Sequence, residues 1–247
     1  MKLLYFTATG NCLYVAKRFG GESLSIPQLL KEEAFTIEDD KIGIIFPIYN
    51  WSVPKLVEEF LNKVILKSNY IFAVGTYGMV AGGATGRLLE IGERNNIHFS
   101  YINELIMVDN FLPGFEMKKQ KEGLGKKQVE ENLNQIIKDV ASNRLYIKKH
   151  SFLAQPLRKL VSNLEKEGFE KNFYTEDSCN SCATCEKVCP VNNIKVDKKP
   201  MFAQNCQHCL ACIQNCPKKA IHHKKEKSGE RFRNEHVSLK EIMNANL

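Results

Sequence analysis

The apolar residues in the first 150 positions follow two alternating patterns. Runs that are apolar throughout predict strands covered on both faces, and apolar residues three to four positions apart predict amphipathic helices. The predicted strands are residues 3–6, 42–46, 71–76 and 99–108, with a less apolar one near 22–26. The predicted helices are residues 11–19, 53–63 and 83–95. This alternation is typical of an α/β domain with a doubly wound parallel sheet.

Three further segments complete the pattern. A long helix is predicted after residue 128, with an apolar stripe formed by Val129, Leu133, Ile136, Ile137 and Val140. A second helix is predicted in the next connection, on Leu157, Leu160, Val161 and Leu164. The polar stretch after Lys225 is predicted to contain a short helix near 239–243 and to cover the cysteine-rich segment before it.

Length and composition indicate a folded chain with one ordinary domain and a smaller one. The chain has 247 residues, of which 43% are hydrophobic. No run approaches the roughly 18 apolar residues of a membrane span. The first residues enter a strand directly and show no apolar leader. We therefore expect a cytoplasmic protein without membrane insertion.

The formal net charge of +7 raises the question of nucleic-acid binding. Basic runs such as Lys118-Lys119 and Lys148-Lys149 lack the interleaved aromatic side chains on which bases stack. We expect these runs to be solvated faces. The sequence therefore predicts no nucleic-acid partner.

Eight of the nine cysteines form two copies of one motif, C-x-x-C-x-x-C-x-x-x-C-P, which lie 27 residues apart (179 to 206). The first copy contains Cys179, Cys182, Cys185 and Cys189. The second contains Cys206, Cys209, Cys212 and Cys216. This spacing is the bacterial ligand pattern for two [4Fe-4S] clusters, in which the fourth cysteine of each run ligates the other cluster.

The pattern predicts a crosswise set of metal ligands. Cys179, Cys182 and Cys185 would share one cluster with Cys216, and the other cluster would be held by Cys206, Cys209, Cys212 and Cys189. Two Cys₄ zinc sites are the alternative, although zinc sites usually pair two cysteines with two ligands much further along the chain. Each oxidised cluster with four thiolates carries a charge of about −2, so clusters would offset much of the positive charge.

The loop after the first predicted strand combines hydroxyl groups, a glycine and a helix start. Its residues are Thr7, Ala8, Thr9, Gly10, Asn11 and Cys12. Backbone N–H groups at a helix start, together with hydroxyls, suit a phosphate monoester. The loop has neither the lysine of a Walker motif nor the glycine spacing of a dinucleotide fingerprint. An ordinary turn capped by Thr9 or Asn11 is the alternative.

Two more loops follow predicted strands and are expected at the same edge of the sheet. The second loop contains the single tryptophan, in the run Pro47, Ile48, Tyr49, Asn50 and Trp51. The third contributes Thr76, Tyr77, Gly78, Gly82 and Gly83. Aromatic rings above the sheet suit stacking on a flat cofactor ring. Which ring stacks stays open, as does packing of these aromatics against the cysteine-rich segment.

These motifs resemble two known families. The cysteine-rich segment resembles the two-cluster bacterial ferredoxins, and the first loop resembles the phosphate loop of flavodoxins, typically T-x-T-G-N-T. The whole chain resembles the flavodoxin–ferredoxin fusions of anaerobes, which implies flavin mononucleotide (FMN) in the three loops and two [4Fe-4S] clusters. Cys12 stands where flavodoxins usually have threonine or serine. It is interpreted either as a reactive thiolate near a helix start or as a small buried side chain.

The resemblance implies a flavodoxin-like domain at 1–147, a helical linker at 148–174, a small α+β ferredoxin domain at 175–225 and a tail at 226–247. The expected function is electron transfer between the clusters and FMN, with an external redox partner or a small substrate. The loop at 109–122 would be a lid over the flavin or a mobile insertion. The sequence identifies no catalytic residue.

Two other functions stay open. A pure electron carrier would need no organic substrate, and the three loops contain no clear acid–base pair. An iron–sulfur redox sensor would need an output domain, for which the sequence gives no sign.

Overall fold

The computed structural model describes residues 1–32, 35–149 and 168–246. In the first part, eight strands follow one another along the chain. They are β1 (Lys2–Tyr5), β2 (Glu22–Ser25), β3 (Phe35–Glu38), β4 (Lys41–Pro47), β5 (Val64–Lys67), β6 (Tyr70–Tyr77), β7 (Phe99–Ile106) and β8 (Tyr146–Ile147). Six of them form a parallel sheet in the order β2-β1-β4-β6-β7-β8, and β3 pairs separately with β5. The α/β fold class predicted from the sequence is confirmed.

Helices connect and cover these strands. They are α1 (Asn11–Phe19), α2 (Ile26–Leu29), α3 (Lys55–Lys63), α4 (Ala84–Arg94), α5 (Met117–Glu122) and α6 (Val129–Ala141). The predicted apolar stripe of α6 is present, since Leu133, Ile136 and Val140 are buried. The central strands are apolar throughout because helices cover both faces; Ile44, Ile45 and Phe72 are wholly inaccessible to solvent.

The sheet reverses its strand order at one point, which decides where a ligand can bind. From β1, the chain passes to β2 on one side and later returns to β4 on the other side. In doubly wound sheets, ligands bind beyond the carboxyl ends of the strands at such a switch point. The loops that follow β1, β4 and β6 all end at this edge of the sheet.

The cysteine-rich segment folds as a small α+β unit with internal repetition. Its elements are β9 (Phe173–Thr175), α7 (Thr184–Lys187), β10 (Ile194–Val196), β11 (Pro200–Phe202), α8 (Ala211–Gln214) and β12 (Ile221–His223). Two antiparallel pairs form, β10 with β11 and β12 with β9. The 27-residue repeat of the cysteines therefore also relates α7 to α8 and β10 to β12.

The tail contacts both parts of the molecule. The backbone N–H of Phe232 donates to Oε1 of Gln214 at 2.8 Å in the cysteine-rich unit. Only two residues later, the N–H of Asn234 donates to the carbonyl of Thr9 at 2.8 Å. The closing helix α9 (Leu239–Asn246) adds the buried side chains of Ile242 and Ala245 to the core of the sheet domain, and Val237, two residues before the helix, adds another.

The tail therefore covers the cysteine-rich segment, as the sequence predicts, but it also packs on the sheet domain. The closing helix α9 contacts both α7 of the cysteine-rich unit and α2 of the sheet domain, through apolar residues at helical spacing. The helix predicted on Leu157, Leu160, Val161 and Leu164 lies outside the described residues. Within the described ranges, no helix is long and apolar enough to cross a membrane.

Candidate functional site

Eight cysteines line two separate small cavities in the C-terminal unit. We call the first set the outer cage, which consists of Cys179, Cys182, Cys185 and Cys216. We call the second set the inner cage, which consists of Cys189, Cys206, Cys209 and Cys212. Each cage takes three cysteines from one copy of the motif and the fourth from the other copy. This grouping is the crosswise one that the spacing predicts.

The thiols of each cage influence one another electrostatically. Burial raises the pKa of Cys212 well above its ordinary value, and the neighbouring Cys209, Cys206 and Cys189 raise it further. In the outer cage, burial raises the pKa of Cys185 to about 12, and Cys216 contributes to the rise. Four anionic sulfurs in so small a space would repel one another strongly. A cationic metal centre removes this repulsion, because thiolates bound to a metal are deprotonated.

The backbone around each cage also repeats after 27 residues. The residues with a positive φ form three matched pairs, Ser181 with His208, Ala183 with Leu210, and Asn192 with Lys219. None of them is a glycine, so each conformation costs about 1–3 kcal/mol and must be held by its surroundings. Such left-handed residues turn successive N–H groups toward one side, which is the arrangement of many iron–sulfur sites.

Two backbone N–H groups are directed at cage sulfurs. The N–H of Asn193 donates to Sγ of Cys189 at 3.2 Å, and the N–H of Ala220 donates to Sγ of Cys216 at 3.3 Å. These two bonds are again related by the repeat. Donors of this kind stabilise the negative charge of a thiolate-bound cluster. The sulfurs and their surroundings therefore fit two cubane clusters.

A larger cavity of about 460 Å³ lies at the switch point of the sheet, within the usual size range of ligand pockets. We call it the central cavity. The loops after β1, β4 and β6 form one side of it. The opposite side comes from residues 108–111 and Phe115, and from the C-terminal unit through Gly168, Phe169, Asn172, His208, Cys209 and Leu210.

Comparison with known proteins identifies one part of the chain. Residues 171–233 match the family model described as 4Fe-4S dicluster domain. This C-terminal part is a ferredoxin-like domain with 4Fe-4S clusters. No curated protein matches the chain. The match supports iron–sulfur electron transfer, in agreement with the two cages.

The inner cage of the ferredoxin-like domain adjoins the central cavity. Cys209 lines both of them, and it is buried in the core of the sheet domain. Burial raises the pKa of Tyr49, and the charges of the nearby Cys209 and Cys12 thiols raise it further. The central cavity and the inner cage are therefore neighbours, and the side chains of Cys209 and Leu210 line both of them.

The outer cage lies nearer the solvent. Cys182 is exposed and Cys179 is partly exposed. The hydroxyl of Thr184, which lies 3.3 Å from Sγ of Cys182, lowers the pKa of that thiol, and the charge of Lys187 contributes to the lowering. The inner cage therefore shares lining residues with the central cavity, whereas the outer cage shares none.

The first loop provides hydroxyls and the start of α1 to the central cavity. Thr7, Thr9 and Asn11 line the cavity. The hydroxyl of Thr7 accepts a 3.1 Å hydrogen bond from the N–H of Gly10. The N-cap of α1 is Gly10, which has no side chain that could cap the helix. The alternative of a cap by Thr9 or Asn11 is therefore wrong. The first N–H groups of α1 have no partner within the helix and can bind a phosphate.

Gly10 itself does not line the cavity. A Cβ at this position would lie 3.0 Å from the Cβ atoms of Asn234 and Val237, so Gly10 faces the C-terminal tail. Cys12 lines the cavity but is buried, and its sulfur lies 3.2 Å from Oγ1 of Thr76. Burial raises the pKa of this thiol to about 12. It is therefore protonated at neutral pH, which favours the interpretation as a small buried side chain.

The second loop places Trp51 at the cavity through a tight turn. Tyr49 and Ser52 exchange two backbone hydrogen bonds of 3.2 and 2.9 Å. The two residues between them, Asn50 and Trp51, have φ values of 48° and 62°, which is the pattern of a type I′ turn. Gly83 donates from its N–H to the carbonyl of Trp51 at 3.1 Å. The turn thus holds its tryptophan in a fixed position.

The remaining predicted residues fall into two groups. Those that line the central cavity are Ala8, Pro47, Ile48, Tyr49, Asn50, Trp51, Tyr77 and Gly78, besides the loop residues already described. Gly82 and Gly83 do not line it, since they pack against Trp51. Tyr49 lies close to Cys209, in agreement with packing of the aromatics against the cysteine-rich segment, and its ring is edge-on to Phe6 at 6.1 Å.

Sequence reasoning missed the wall opposite these loops. The segment at 109–122 was expected to be a lid or a mobile insertion, but Leu112 and Met117 within it are wholly buried. They pack in the core cluster of the ferredoxin-like domain. The segment is therefore a fixed wall between the two parts. Its signal in the sequence was the apolar run Phe111-Leu112 and Phe115 in an otherwise polar connection.

Proposed function

We propose that the chain is an electron-transfer oxidoreductase that carries FMN in the central cavity and passes electrons between FMN and the two clusters. The observation that carries this proposal is the position of Cys209, which lines both the inner cage and the central cavity. Electron transfer requires cofactors to lie close together, and here a shared wall would separate them.

Several features support FMN as the occupant. Counted along the sheet, its strand order corresponds to 2-1-3-4-5, the flavodoxin-like order, with one more strand at the edge. Thr7, Thr9 and the start of α1 would hold the phosphate. Trp51 and Tyr77 would contact the ring, which supplies one- and two-electron chemistry when bound. The first part of the chain is thus proposed to be a flavodoxin-like domain.

The chain's own residues would exclude water and position the cofactors. Leu210 lines both the inner cage and the central cavity, and it is itself held in a left-handed conformation with φ of 56°. The exposed Cys182 makes the outer cage the place where an external redox partner would exchange electrons. We propose a cytoplasmic location, where thiols stay reduced.

A pure electron carrier is the second candidate. Aromatic side chains line the central cavity from several directions, namely Tyr49, Trp51, Tyr77, Phe111, Phe115 and Phe169. A flavin enclosed in this way would leave little room for an organic substrate. The presence of Asp109 in the same cavity favours proton-linked chemistry and thus the oxidoreductase.

The cofactor content tests the proposal. Protein purified without oxygen should contain about eight iron atoms and one FMN per chain. Rapid reduction with dithionite should then show electrons in the clusters before the flavin. Cys209→Ser should slow flavin reduction, whereas Ser178→Ala, an exposed neighbour of the outer cage, should not. Eight iron atoms without flavin would contradict the FMN assignment, and equal rates in both variants would contradict the proposed path.

A further inference from the structure

The wall of the central cavity contains an acidic side chain that the electron path does not use. Asp109 lines the cavity and lies against the third loop. A Cβ on Gly78 would be 2.1 Å from the Cβ of Asp109, so only glycine permits this approach. The carboxylate accepts a 3.2 Å hydrogen bond from the N–H of Phe111. Its position is therefore fixed by two backbone segments.

Lys127 faces the same segment from the turn before α6. Its ammonium group donates to the carbonyls of Gly78 at 2.7 Å and Met107 at 2.6 Å, and to Oε1 of Gln120 at 3.4 Å. Gln120 in turn accepts from the N–H of Asp109 at 3.3 Å. Lys127 thus joins the third loop to the segment that contains Asp109 and supplies the nearby positive charge.

These surroundings affect the acidity of Asp109 in opposite directions. Burial raises the pKa of Asp109, while the N–H of Phe111 and the charge of Lys127 lower it to a smaller extent. Burial also lowers the pKa of Lys127. Negative charge that enters the cavity as electrons would raise the pKa of the carboxyl group further. Asp109 is therefore placed to take up a proton when the site is reduced.

The Cys12 thiol and the two phenols of the cavity are poorer proton donors than a carboxyl group. The pKa of Cys12 is raised to about 12 by burial, and burial raises the pKa of Tyr49 and Tyr77 above that of an ordinary phenol. His208 lies between two cysteines of the inner cage and stacks on Phe169 at a ring distance of 4.3 Å. Asp109 is the one carboxyl group among the described residues that line the cavity.

We propose that Asp109 is the proton donor of the central cavity and couples the arrival of electrons to protonation. The inference rests on the proposed FMN site. With the cofactors bound, each cluster would supply one of the two electrons and be oxidised in turn. Asp109 would give up its O–H proton to a nitrogen of the flavin ring, where an N–H bond would form. The carboxylate would then recover a proton from solvent, since Asp109 is only partly buried.

Stopped-flow reduction of the holoprotein tests the proposal, with dithionite as the electron source. The rate of flavin reduction is measured against pH in wild type, Asp109→Asn, Asp109→Glu and a control, Glu116→Gln. Glu116 is an exposed carboxylate of the same segment, paired with Lys119 at 2.8 Å. A pH-indicator dye follows proton uptake, and iron and flavin contents confirm loading of each variant.

The expected result separates a proton donor from a structural residue. Wild type should be fast at low pH and slow down as pH rises through the pKa of Asp109, because only the protonated acid donates. Asp109→Asn should be about 100-fold slower and independent of pH, with unchanged cluster reduction. Asp109→Glu should recover the pH dependence with a displaced midpoint, and Glu116→Gln should match wild type.

Two negative outcomes are distinguishable. If wild type binds and reduces flavin but Asp109→Asn shows the same rate and pH profile, Asp109 is not the donor and the proposed function stands. If wild type with full iron content binds no flavin, or its clusters do not reduce the bound flavin, the proposed function fails and the inference fails with it. If Asp109→Asn does not retain flavin, Asp109→Glu takes its place in the comparison. The pH midpoint of flavin reduction in Asp109→Glu must then differ from that of wild type, and an unchanged midpoint contradicts the inference.

Discussion

Gly82 and Trp51 are in such close contact that a Cβ on Gly82 would lie 2.3 Å from the Cβ of Trp51. Gly82 also has a φ of 62°, a conformation that other residues adopt at a cost of about 1–2 kcal/mol. The position of the tryptophan at the cavity therefore depends on a glycine more than thirty residues further along the chain. Neither residue alone reveals this dependence in the sequence.

Gly82→Ala should displace Trp51 and weaken FMN binding. We expect the dissociation constant for FMN to rise about tenfold, equivalent to about 1.4 kcal/mol. Since Trp51 is the single tryptophan, quenching of its fluorescence by added FMN measures the binding directly. Gly125→Ala is the matched control, because a Cβ there would meet nothing within 4 Å. Equal affinities in both variants would mean that Trp51 does not contact the flavin.

Removal of iron should unfold the ferredoxin-like domain. Six left-handed residues other than glycine surround the cages, and their combined cost of several kcal/mol must be offset by metal binding. We expect chelation to abolish the dispersed backbone amide signals of residues 171–233 in an NMR spectrum. The sheet domain has its own core and should keep its signals. A well-dispersed spectrum of the iron-free C-terminal domain would contradict this account.

The fold was predictable from the sequence where a single pattern determined it. The run from Ile42 to Phe46 is apolar throughout because helices cover both faces of β4. The cysteine spacing predicted the grouping found in the cages, since in this pattern the fourth cysteine of each run belongs to the other cluster. In both cases the pattern that carries the prediction lies within a short stretch of sequence.

The relation between the two parts was not predictable in this way. Contacts such as that between Asn234 and Thr9 are set by surfaces that meet only after both parts have folded. Asp109 was overlooked for a similar reason. Its polar side chain in a long connection is typical of a solvated loop, and its place in the cavity depends on the absent side chain of Gly78.

The buried thiol of Cys12 should make stability depend on pH in the alkaline range. Burial raises its pKa from 9.0 to about 12, so the folded protein holds this proton more tightly than the unfolded chain. The associated stability is complete below pH 9 and is lost as pH rises toward 12. At pH 11 the loss should be roughly 2–3 kcal/mol.

Urea unfolding of wild type and Cys12→Ser at pH 8 and pH 11 measures this contribution. Tyrosines also titrate in this range, but they are common to both proteins, and the difference between the two isolates Cys12. The serine variant should lose less stability between the two pH values than wild type does. An equal loss would show that the Cys12 thiol is accessible to water, and iodoacetamide should then modify it rapidly at pH 8.

The exposed side of the outer cage should select an acidic redox partner. Residues 171–233 contain twelve Lys and Arg but only six Asp and Glu. Lys187 is close enough to Cys182 to influence its pKa, and Lys218 lines the outer cage cavity. Charge complementarity of this kind raises association rates by 10- to 1,000-fold at low salt. The rate of electron exchange with an acidic carrier protein should therefore fall as ionic strength increases.

Charge reversal identifies the lysines responsible. The double variant Lys187→Glu and Lys218→Glu should accept electrons from a small acidic ferredoxin at least tenfold more slowly at low salt, and most of the salt dependence should disappear. Lys31→Glu, an exposed lysine of the sheet domain, should behave like wild type. Reduction by dithionite provides a second control, because this small reductant makes no extended contact with the surface. If Lys187→Glu or Lys218→Glu, each made as a single variant, slows the protein carrier no more than Lys31→Glu does, only net charge matters and the outer cage is not the docking site.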